Sequence, residues 1–358
     1  MATIAANYTN NTLLKPGSTR EPSVEAYISF LNCYAAIFVV ILGVFGNSAS
    51  TLILLAIKAL RTSTTGMLLI VLAFSDNGAL LIGLFPVWIK AISGFSLYEE
   101  SAAICKLRTV FMYFTLQFSS SILALIAIER FVSVYQPSKA KRWFSLKHAG
   151  IMVGCLALAL FALNSHAFVT VTIVNVPEDP KPWCYAPPHY VNFSDNIWVY
   201  IDFSVYSVTW LIISFCNVSI ILRMRRINQR VEYNSHRVSA SAASRRSRLT
   251  SMTVMLLVVN TSFLITTIPF AIYVLCYTNH LNIDTQNMIY ESLYLLSYLN
   301  NAINFLLYVI SGAKFRSAMF DLMPDRGCIG GTLGSENGVT NRGFALSHVN
   351  SVTSARSQ

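Results

Sequence analysis

Long runs of apolar residues alternate with short polar segments along the chain, and this pattern predicts membrane-spanning helices. A helix needs about 20 mostly apolar residues to cross the hydrocarbon core of a bilayer. The runs that reach this length are residues 30–57, 66–89, 107–135, 148–174, 197–222, 249–277 and 288–310. Each is too long and too apolar for the core helix of a soluble protein. The sequence therefore predicts an all-α membrane protein, a bundle of seven transmembrane helices.

The composition and the placement of charge add an orientation to this picture. Hydrophobic residues make up 54% of the chain and charged residues only 12%, about half the charged share of a soluble domain. The net charge is +10. The first, third and fifth loops hold fourteen Lys and Arg, whereas the opposite loops hold Lys90, Lys106 and Lys181. The positive-inside rule then places the N-terminus outside and the C-terminus in the cytoplasm. These bases face anionic lipid and partner proteins, so they do not predict nucleic-acid binding.

The spans divide the chain into three parts. Residues 1–29 form an extracellular N-terminal segment, residues 30–325 the transmembrane domain, and residues 326–358 a polar cytoplasmic tail that is predicted to be disordered. The first 26 residues contain no short apolar core followed by a cleavage site. We therefore expect no cleaved signal peptide, and the first span itself directs insertion.

Glycosylation sequons agree with the predicted orientation. Those that begin at Asn7, Asn10 and Asn192 fall on the outer side. Two further matches, at Asn217 and Asn260, lie inside predicted spans. We interpret these two as chance matches.

Polar side chains inside the spans are candidates for function, because each costs a few kcal/mol at membrane depth. Span two contains Asp76, whose carboxylate needs a cation, a proton or several hydrogen-bond donors. The amides and hydroxyls that could meet it in one pocket are Asn47, Ser119, Ser120, Ser121, Asn300, Asn301 and Asn304. The alternative is that they form interhelical hydrogen bonds that hold the bundle together.

At the inner end of span three, Arg130 follows Glu129. An arginine at a helix end often extends to lipid phosphates. Here the adjacent acid could hold it inward and then release it. Both interpretations remain open at the level of the residues alone.

Taken together, these features resemble the signature of rhodopsin-like (class A) G-protein-coupled receptors. The matching residues are Gly46 with Asn47, Leu72 to Asp76, Cys105, Glu129 to Phe131, Phe263 with Pro269, and Asn304 to Tyr308. Lys314 to Arg316 is similar to the start of the short cytoplasmic amphipathic helix that follows span seven in that family. The resemblance covers residues 30–325. Spans three and seven are similar to those of invertebrate neuropeptide receptors, FMRFamide-type receptors among them.

The chain departs from the family pattern at positions that help to transmit activation. Pro269 lacks the preceding Cys-Trp, and Phe305 replaces the proline of span seven. Span four has no Trp, and span five has no Pro near Trp210. The resemblance implies the family fold, while the details of the switch are expected to differ.

The resemblance also implies roles for particular residues. It implies a disulfide between Cys105 and Cys184 and an allosteric Na⁺ pocket of Asp76, Ser119, Asn300 and Asn304. The expected coupling switch is Glu129, Arg130, Thr253 (with Thr250 as an alternative) and Tyr308. In the tail, Cys328 is a palmitoylation candidate, and the phosphorylation candidates are Ser347, Ser351, Thr353, Ser354 and Ser357.

Landmarks of the family narrow the ligand. Amine receptors carry an Asp where this chain has Met112, and visual pigments carry a Lys where it has Tyr298. We therefore expect neither an amine nor retinal. An N-terminus of this length leaves no room for a large hormone-binding domain. The pocket candidates are Met112, Tyr113, Gln117, Thr267, Glu291 and Tyr298.

Acidic residues on the outer side favour a cationic ligand, because opposite charge steers and pairs. They are Glu99, Glu100, Glu178, Asp179, Asp195, Asp202, Asp284 and Glu291. An Arg-containing amidated peptide would suit such an acidic mouth. The alternative is that these loops are simply solvated.

The predicted protein is a multi-pass receptor of the plasma membrane that binds a neuropeptide and activates a heterotrimeric G protein, and it is not an enzyme. Arrestin, a receptor kinase and membrane lipids are expected partners, and Na⁺ is the only ion expected. Seven Cys without a CxxC pair or a Cys/His cluster argue against a metal centre. The alternatives are a chemosensory or other small-molecule receptor, or a transporter. An odd number of spans without evident repeats argues against a transporter. An intramembrane protease would need a second deep acid or a Ser/His pair, and only Asp76 and an unpartnered His166 are found.

Overall fold

The computed structural model describes residues 21–175, 182–233, 240–276 and 282–322. Within these residues, seven helices are long and apolar enough to cross a membrane. An eighth helix, α8 (Ala313–Leu322), follows the last of them. The seven are α1 (Pro22–Ala56), α2 (Thr64–Ser93), α3 (Ala102–Tyr135), α4 (Leu146–Asn164), α5 (Trp198–Tyr233), α6 (Ala240–Leu275) and α7 (Ile283–Ser311).

Short elements connect the long helices. Helical turns cover Lys58–Arg61, Pro137–Trp143 and Ala167–Thr170, and 3₁₀ turns cover Leu97–Glu99 and Pro188–Tyr190. Wider π turns occupy Leu31–Ala35 in α1, Leu80–Leu84 in α2 and Phe193–Ile197 just before α5. A two-stranded antiparallel hairpin pairs β1 (Thr172–Val174) with β2 (Trp183–Tyr185). The prediction that span four continues to residue 174 was therefore wrong, since its last residues form β1.

Several helices begin at side chains that satisfy the free N–H groups of a first turn. Ser63 accepts a hydrogen bond from the N–H of Gly66 at the start of α2, and Ser145 accepts one from His148 before α4. Asn282 does the same for Thr285 at the start of α7, at 2.8 Å. Such caps fix where a helix starts, because the first N–H groups have no partner within the helix. The inner and outer loops are held in place by these starts.

The core lies where α3 contacts its neighbours. Leu68, Leu72, Ile122, Ile126 and Ile213 are fully buried there. Large apolar side chains on the opposite faces, among them Phe45 and Leu211, are exposed to about 70% of their surface. In water such a surface would be costly, whereas lipid accepts it, as the seven-span topology requires.

Two details of α1, α6 and α7 bear on movement. Pro269 lies inside α6, and no proline lies inside α7. A Cβ atom on Gly43 would stand 2.9 Å from the backbone of Ala302, and one on Gly46 would stand 2.9 Å from Phe305. Because glycine has no Cβ, α1 can lie directly against α7. Phe305, where the family has proline, is part of this contact.

Candidate functional site

A cavity of about 110 Å³ lies between α3, α5, α6 and α7, in the half of the bundle that faces outward in the predicted topology. Its walls are mostly aromatic. Tyr113 meets the Trp198 ring edge-on, with ring centroids 5.4 Å apart. Further aromatic walls are Tyr206, Trp210, Phe270, Tyr294 and Tyr298. A concave apolar cavity with a few polar groups is the usual form of a small-ligand site.

The β1–β2 hairpin is tied to two helices beside this cavity. Cys105, near the start of α3, is bonded to Cys184 of β2, with the Cα atoms 5.5 Å apart. The hydroxyl of Tyr185 donates a 2.5 Å hydrogen bond to Oδ1 of Asp195, in the turn before α5. Burial, followed by this bond to a carboxylate, raises the pKa of the Tyr185 hydroxyl, so it remains protonated and donates. The hairpin is thus fixed to α3 and to the start of α5.

Most of the predicted pocket residues meet in the cavity. Met112, Tyr113, Thr267 and Tyr298 line it. Gln117 is fully buried just behind its wall. The described lining does not include Glu291, which lies on α7 in the turn before Tyr294.

The cavity also contains a carboxylate that the sequence analysis had assigned to the outer surface. Asp202 of α5 lines the cavity, and its Oδ1 accepts a 2.7 Å hydrogen bond from the side-chain amide of Gln117. The oxygen of Gln117 in turn accepts a 2.7 Å bond from Asn164 of α4. Gln117 and Asn164 are both buried. A rule that flags every acid inside an apolar run, as was applied to Asp76, would have found Asp202.

Other acids of the predicted outer mouth are already paired. Glu99 forms an ion pair with Lys90 at 2.7 Å, and Asp195 accepts the bond from Tyr185. Glu100 is exposed. Glu178 and Asp179 lie outside the described residues. The outward-facing acidic surface is therefore smaller than the sequence predicted.

A base near the outer end of the bundle was missed in the sequence analysis. The guanidinium of Arg108 on α3 lies 4.0 Å from the centre of the Tyr98 ring and donates a 3.3 Å hydrogen bond to the carbonyl of Gly83. It therefore has an aromatic face and a backbone acceptor as its partners. A single Arg inside a long apolar helix is a signal that the sequence offered.

At the inner end of the cavity, Asp76 is completely buried and has three donors. Ser119 donates to its Oδ1 at 2.5 Å, Asn301 donates to the same oxygen at 2.8 Å, and Asn304 donates to Oδ2 at 2.7 Å. Asn47 is held beside them by the backbone oxygen of Asn301, at 2.9 Å. The carboxylate is thus surrounded by N–H and O–H groups, which suits its charged form.

The amide that meets Asp76 is not the one expected. The predicted residue was Asn300, but Asn301 makes the contact, and Asn300 lines the cavity instead. Neighbouring residues on a helix point about 100° apart, so only one of the two can face Asp76. The side-chain oxygens of Asn300 and Asn304 are buried without a hydrogen-bond partner in the described structure.

The predicted switch residues lie at the inner end of α3. Nε of Arg130 is 2.8 Å from Oε2 of Glu129, although the approach is off the N–H axis. Nη2 of Arg130 donates to the hydroxyl of Thr65 on α2, and this hydroxyl donates to Oε2 of Glu129 at 3.3 Å. Ser133 donates to the other oxygen of Glu129 at 3.1 Å. Arg130 is therefore folded inward and held among buried groups.

The partners described for Arg130 are on α2 and α3, whereas the expected partner was Thr253 of α6. Thr253 is buried on α6. Tyr308 is also buried, and its ring packs against Phe315 of α8, with centroids 5.5 Å apart. The structure thus gathers Glu129 and Arg130 with Thr65, and it places Tyr308 at the junction of α7 and α8.

Some predicted sites cannot be located. Asn7, Asn10, Cys328 and the phosphorylation candidates from Ser347 to Ser357 lie outside the described residues. Asn192 is exposed in the helical turns before α5 and accepts a 2.8 Å hydrogen bond from Asn196.

Comparison with known proteins agrees with this arrangement of spans, cavity and inner arginine. Residues 46–308 match the model of the "7 transmembrane receptor (rhodopsin family)". The chain is 30% identical over 154 residues to the neuromedin U receptor homolog nmur-2 of Caenorhabditis elegans, which covers 42% of this chain and 38% of that receptor. It is 25% identical over 300 residues to the human purinoceptor 4, covering 81% and 76%. It is 30% identical to the guinea pig cholecystokinin receptor type A over 138 residues, 38% and 29%.

The family match covers well over half of the chain. The protein therefore belongs to the rhodopsin family of seven-transmembrane receptors and is a multi-pass protein of the plasma membrane.

Proposed function

We propose that the protein is a receptor that binds an extracellular peptide in the aromatic cavity and activates a heterotrimeric G protein. The observation that carries this proposal is the arrangement along α3. The cavity lies at the outer end, with Tyr113 in its wall, and the clustered Arg130 lies at the inner end. Between them, Ser119 lines the cavity floor and bonds Asp76. A ligand that moves the floor can therefore reach the helices around Arg130 through contiguous buried groups.

A peptide fits the cavity better than a nucleotide does. Neuromedin U and cholecystokinin receptors are among the relatives, but so is a purinoceptor that matches more of the chain. A nucleotide brings several negative charges and needs several bases. Asp202 would repel it, and Arg108 already has Tyr98 and Gly83 as partners. The charge inside the cavity thus supports the peptide assignment.

The test is ligand-stimulated nucleotide exchange on a G protein. Cells that express the full chain with a promiscuous G protein would be screened with a library of amidated peptides, and nucleoside di- and triphosphates would form a second set. A peptide response that disappears in Arg130→Ala, with surface expression and peptide binding retained, is the expected result. A response to nucleotides alone would reject the peptide ligand. Substrate uptake without any exchange would reject the receptor and favour a transporter.

Sodium is proposed as an allosteric ion at Asp76. The unpartnered oxygens of Asn300 and Asn304, with the carboxylate, form a set of hard oxygen ligands of the kind that alkali and alkaline-earth ions prefer. When bound, the ion would neutralise the carboxylate. Ser119, Asn301 and Asn304 hold Asp76 in place for it.

The tail is proposed to serve regulation. Receptor kinases would phosphorylate the serines and threonines from Ser347 to Ser357, arrestin would read the added charge, and a palmitoyl group on Cys328 would enter the inner leaflet lipids. These residues are outside the described structure. A chain truncated after Gly327 should internalise poorly after stimulation. Normal internalisation would reject the proposal.

A further inference from the structure

We infer that Asp202 is the counter-ion for a cationic group of the ligand, an ammonium or a guanidinium, and that Gln117 and Asn164 are positioning residues for its carboxylate. The inference deepens the proposed receptor function and rests on it. It assigns the charged contact to α5. The corresponding place on α3, where amine receptors have an acid, is occupied by Met112.

The first step is that Asp202 faces the cavity while its own helix gives it an apolar setting. It lies among the cavity-lining residues with Trp198, Phe203 and Tyr206. Tyr113 and Tyr206 are close enough to be affected by its charge. A carboxylate in such surroundings loses most of its hydration. It is stabilised only by donors or by an opposite charge.

The second step is that the protein supplies donors but no described cation. The ion pairs among the described residues join Lys90 with Glu99 and Arg130 with Glu129, and neither includes Asp202. Arg108 is turned toward Tyr98 and Gly83. The negative charge of the cavity is therefore left for a ligand to neutralise.

The third step is that the carboxylate is held in one orientation by a relay. Asn164 donates to the oxygen of Gln117, so the amide nitrogen of Gln117 must point at Asp202 Oδ1. If Asn164 were absent, the Gln117 amide could turn over and present its oxygen to the carboxylate. The relay thus fixes Oδ1, while Oδ2 has no hydrogen bond in the described structure. Oδ2 is the atom assigned to the ligand.

The fourth step is that the walls suit the same kind of group. The rings of Tyr113, Trp198, Tyr206 and Tyr294 surround the cavity, and aromatic faces attract cations. Phosphates and carboxylates would meet both the rings and Asp202 unfavourably. An ammonium or guanidinium on a peptide side chain, or a peptide N-terminus, meets both favourably.

The experiment uses four aromatic fragments of similar size on the purified full-length protein. Benzamidine carries an amidinium and benzylamine an ammonium, benzamide is neutral, and benzoate is an anion. At equal millimolar concentration, a cationic fragment should raise the melting temperature of the wild type by about 2 °C or more, and benzamide and benzoate should not. Benzamidine against benzylamine distinguishes a guanidinium-like from an ammonium ligand. Equal shifts with cationic and neutral fragments, zero included, would overturn the inference.

Variants then locate the cation. Asp202→Asn should remove the preference for cationic fragments, whereas Glu100→Gln, which removes an exposed outer acid, should keep it. A folded Asp202→Asn protein that keeps the preference would overturn the inference. If Asp202→Asn does not fold, Gln117→Met replaces it. That variant lacks the amide donor and should lower the ratio of cationic to neutral binding, so an unchanged ratio would overturn the inference.

The positioning role has its own readout. Asn164→Ala should lower the ratio of cationic to neutral fragment binding, because a merely structural defect would weaken both alike. An unchanged ratio in Asn164→Ala would remove Asn164 from the proposal.

Failure of this inference can be separated from failure of the proposed function. With a peptide agonist from the screen, Asp202→Asn should lower potency by about 30-fold or more, because a buried partner charge is lost. Citrulline in place of the agonist's arginine should cost little further in that variant. Charge-blind fragment binding in a protein that signals to peptides sinks the inference alone. Charge-selective binding in a protein that never drives nucleotide exchange sinks the receptor function alone.

Discussion

At the inner end of the bundle, a single hydroxyl joins α2 to the arginine of α3. Thr65 accepts a hydrogen bond from Arg130 and donates one to Glu129, and it is buried. The family resemblance placed the second clamp on α6, at Thr253. No sequence pattern pairs a threonine near the start of span two with an arginine at the end of span three. That contact depends on how the helices are arranged side by side.

Thr65→Val should raise ligand-independent nucleotide exchange. Valine keeps the shape but removes the bridge, and a hydrogen bond to a charged group contributes about 1.5–3 kcal/mol, so an increase of about tenfold is expected. The readout is basal exchange at matched surface expression. The control is Thr51→Val, whose hydroxyl bonds only its own helix backbone at Asn47. Basal exchange at the wild-type level in Thr65→Val would mean that the bridge does not hold the resting state.

A glycine of α2 controls the shape of the cavity. A Cβ on Gly83 would overlap the hydroxyl of Tyr298, which lines the cavity. Gly83→Ala must therefore displace this ring, and we expect agonist potency to fall by about tenfold, since a shifted wall leaves contacts unmade. The measurement is a concentration–response curve. Gly154→Ala is the matched control, because a Cβ there meets nothing within 4 Å. Equal potencies in the two variants would show that Tyr298 moves without cost.

Two residues show the limit of sequence reasoning at this scale. Asp76 was identified as an intramembrane acid, but its amide partner was assigned as Asn300 instead of Asn301. The choice depends on the rotation of α7, which adjacent asparagines do not reveal. Asp202 was counted with the outer loops because it lies near a predicted span boundary, and boundaries are the least certain part of a hydropathy pattern.

Helices and loops differ in how far the sequence determines them. Apolar runs located all seven spans, because bilayer thickness sets their length. The runs did not locate helix ends: α6 begins at Ala240, well before the predicted residue 249, and α1 begins at Pro22. Polar residues continue a helix beyond the lipid wherever caps and neighbours allow it. The hairpin after α4 was missed, because its strand Thr172–Val174 is as apolar as the span before it.

The hairpin gives a prediction about the disulfide. Cys184→Ser frees β2 from α3 and opens a loop whose ends are 79 residues apart; closing it contributes about 4 kcal/mol in the chain-entropy model. We expect weaker agonist binding and a lower melting temperature. In the wild type, Cys105 and Cys184 should become alkylatable only after reduction, as mass mapping would report. Alkylation of either one without reduction would count against the bridge.

Across the whole bundle, the polar groups around Asp76 connect the cavity to the inner helices. An ion that binds the resting arrangement more tightly shifts the population toward it. We therefore expect sodium to lower agonist affinity in the wild type and to have no effect in Asp76→Asn. Agonist competition binding in sodium and in choline chloride measures this. Potassium serves as the ion control. An identical response of both proteins to sodium would remove the ion from Asp76.

At this scale the sequence determined more than it did for single contacts. Span number, orientation and family follow from length, hydropathy and the order of a few motifs, since each is repeated along the chain. The cavity could be named only as a set of candidates. Four of the six line it, because the resemblance placed them on the right helices.

The difference between α6 and α7 has a consequence for the shape of a spectroscopic record. With proline in α6 and none in α7, and with Phe305 set against Gly46, only α6 has a flexible point. Spin labels at Thr62 and Val254 should give two interspin distances whose proportions change with agonist. Labels at Thr62 and Ile310 should give one narrow distance under both conditions. Broadening of the second distribution by agonist would mean that α7 bends without its proline, and the receptor would then have two moving helices.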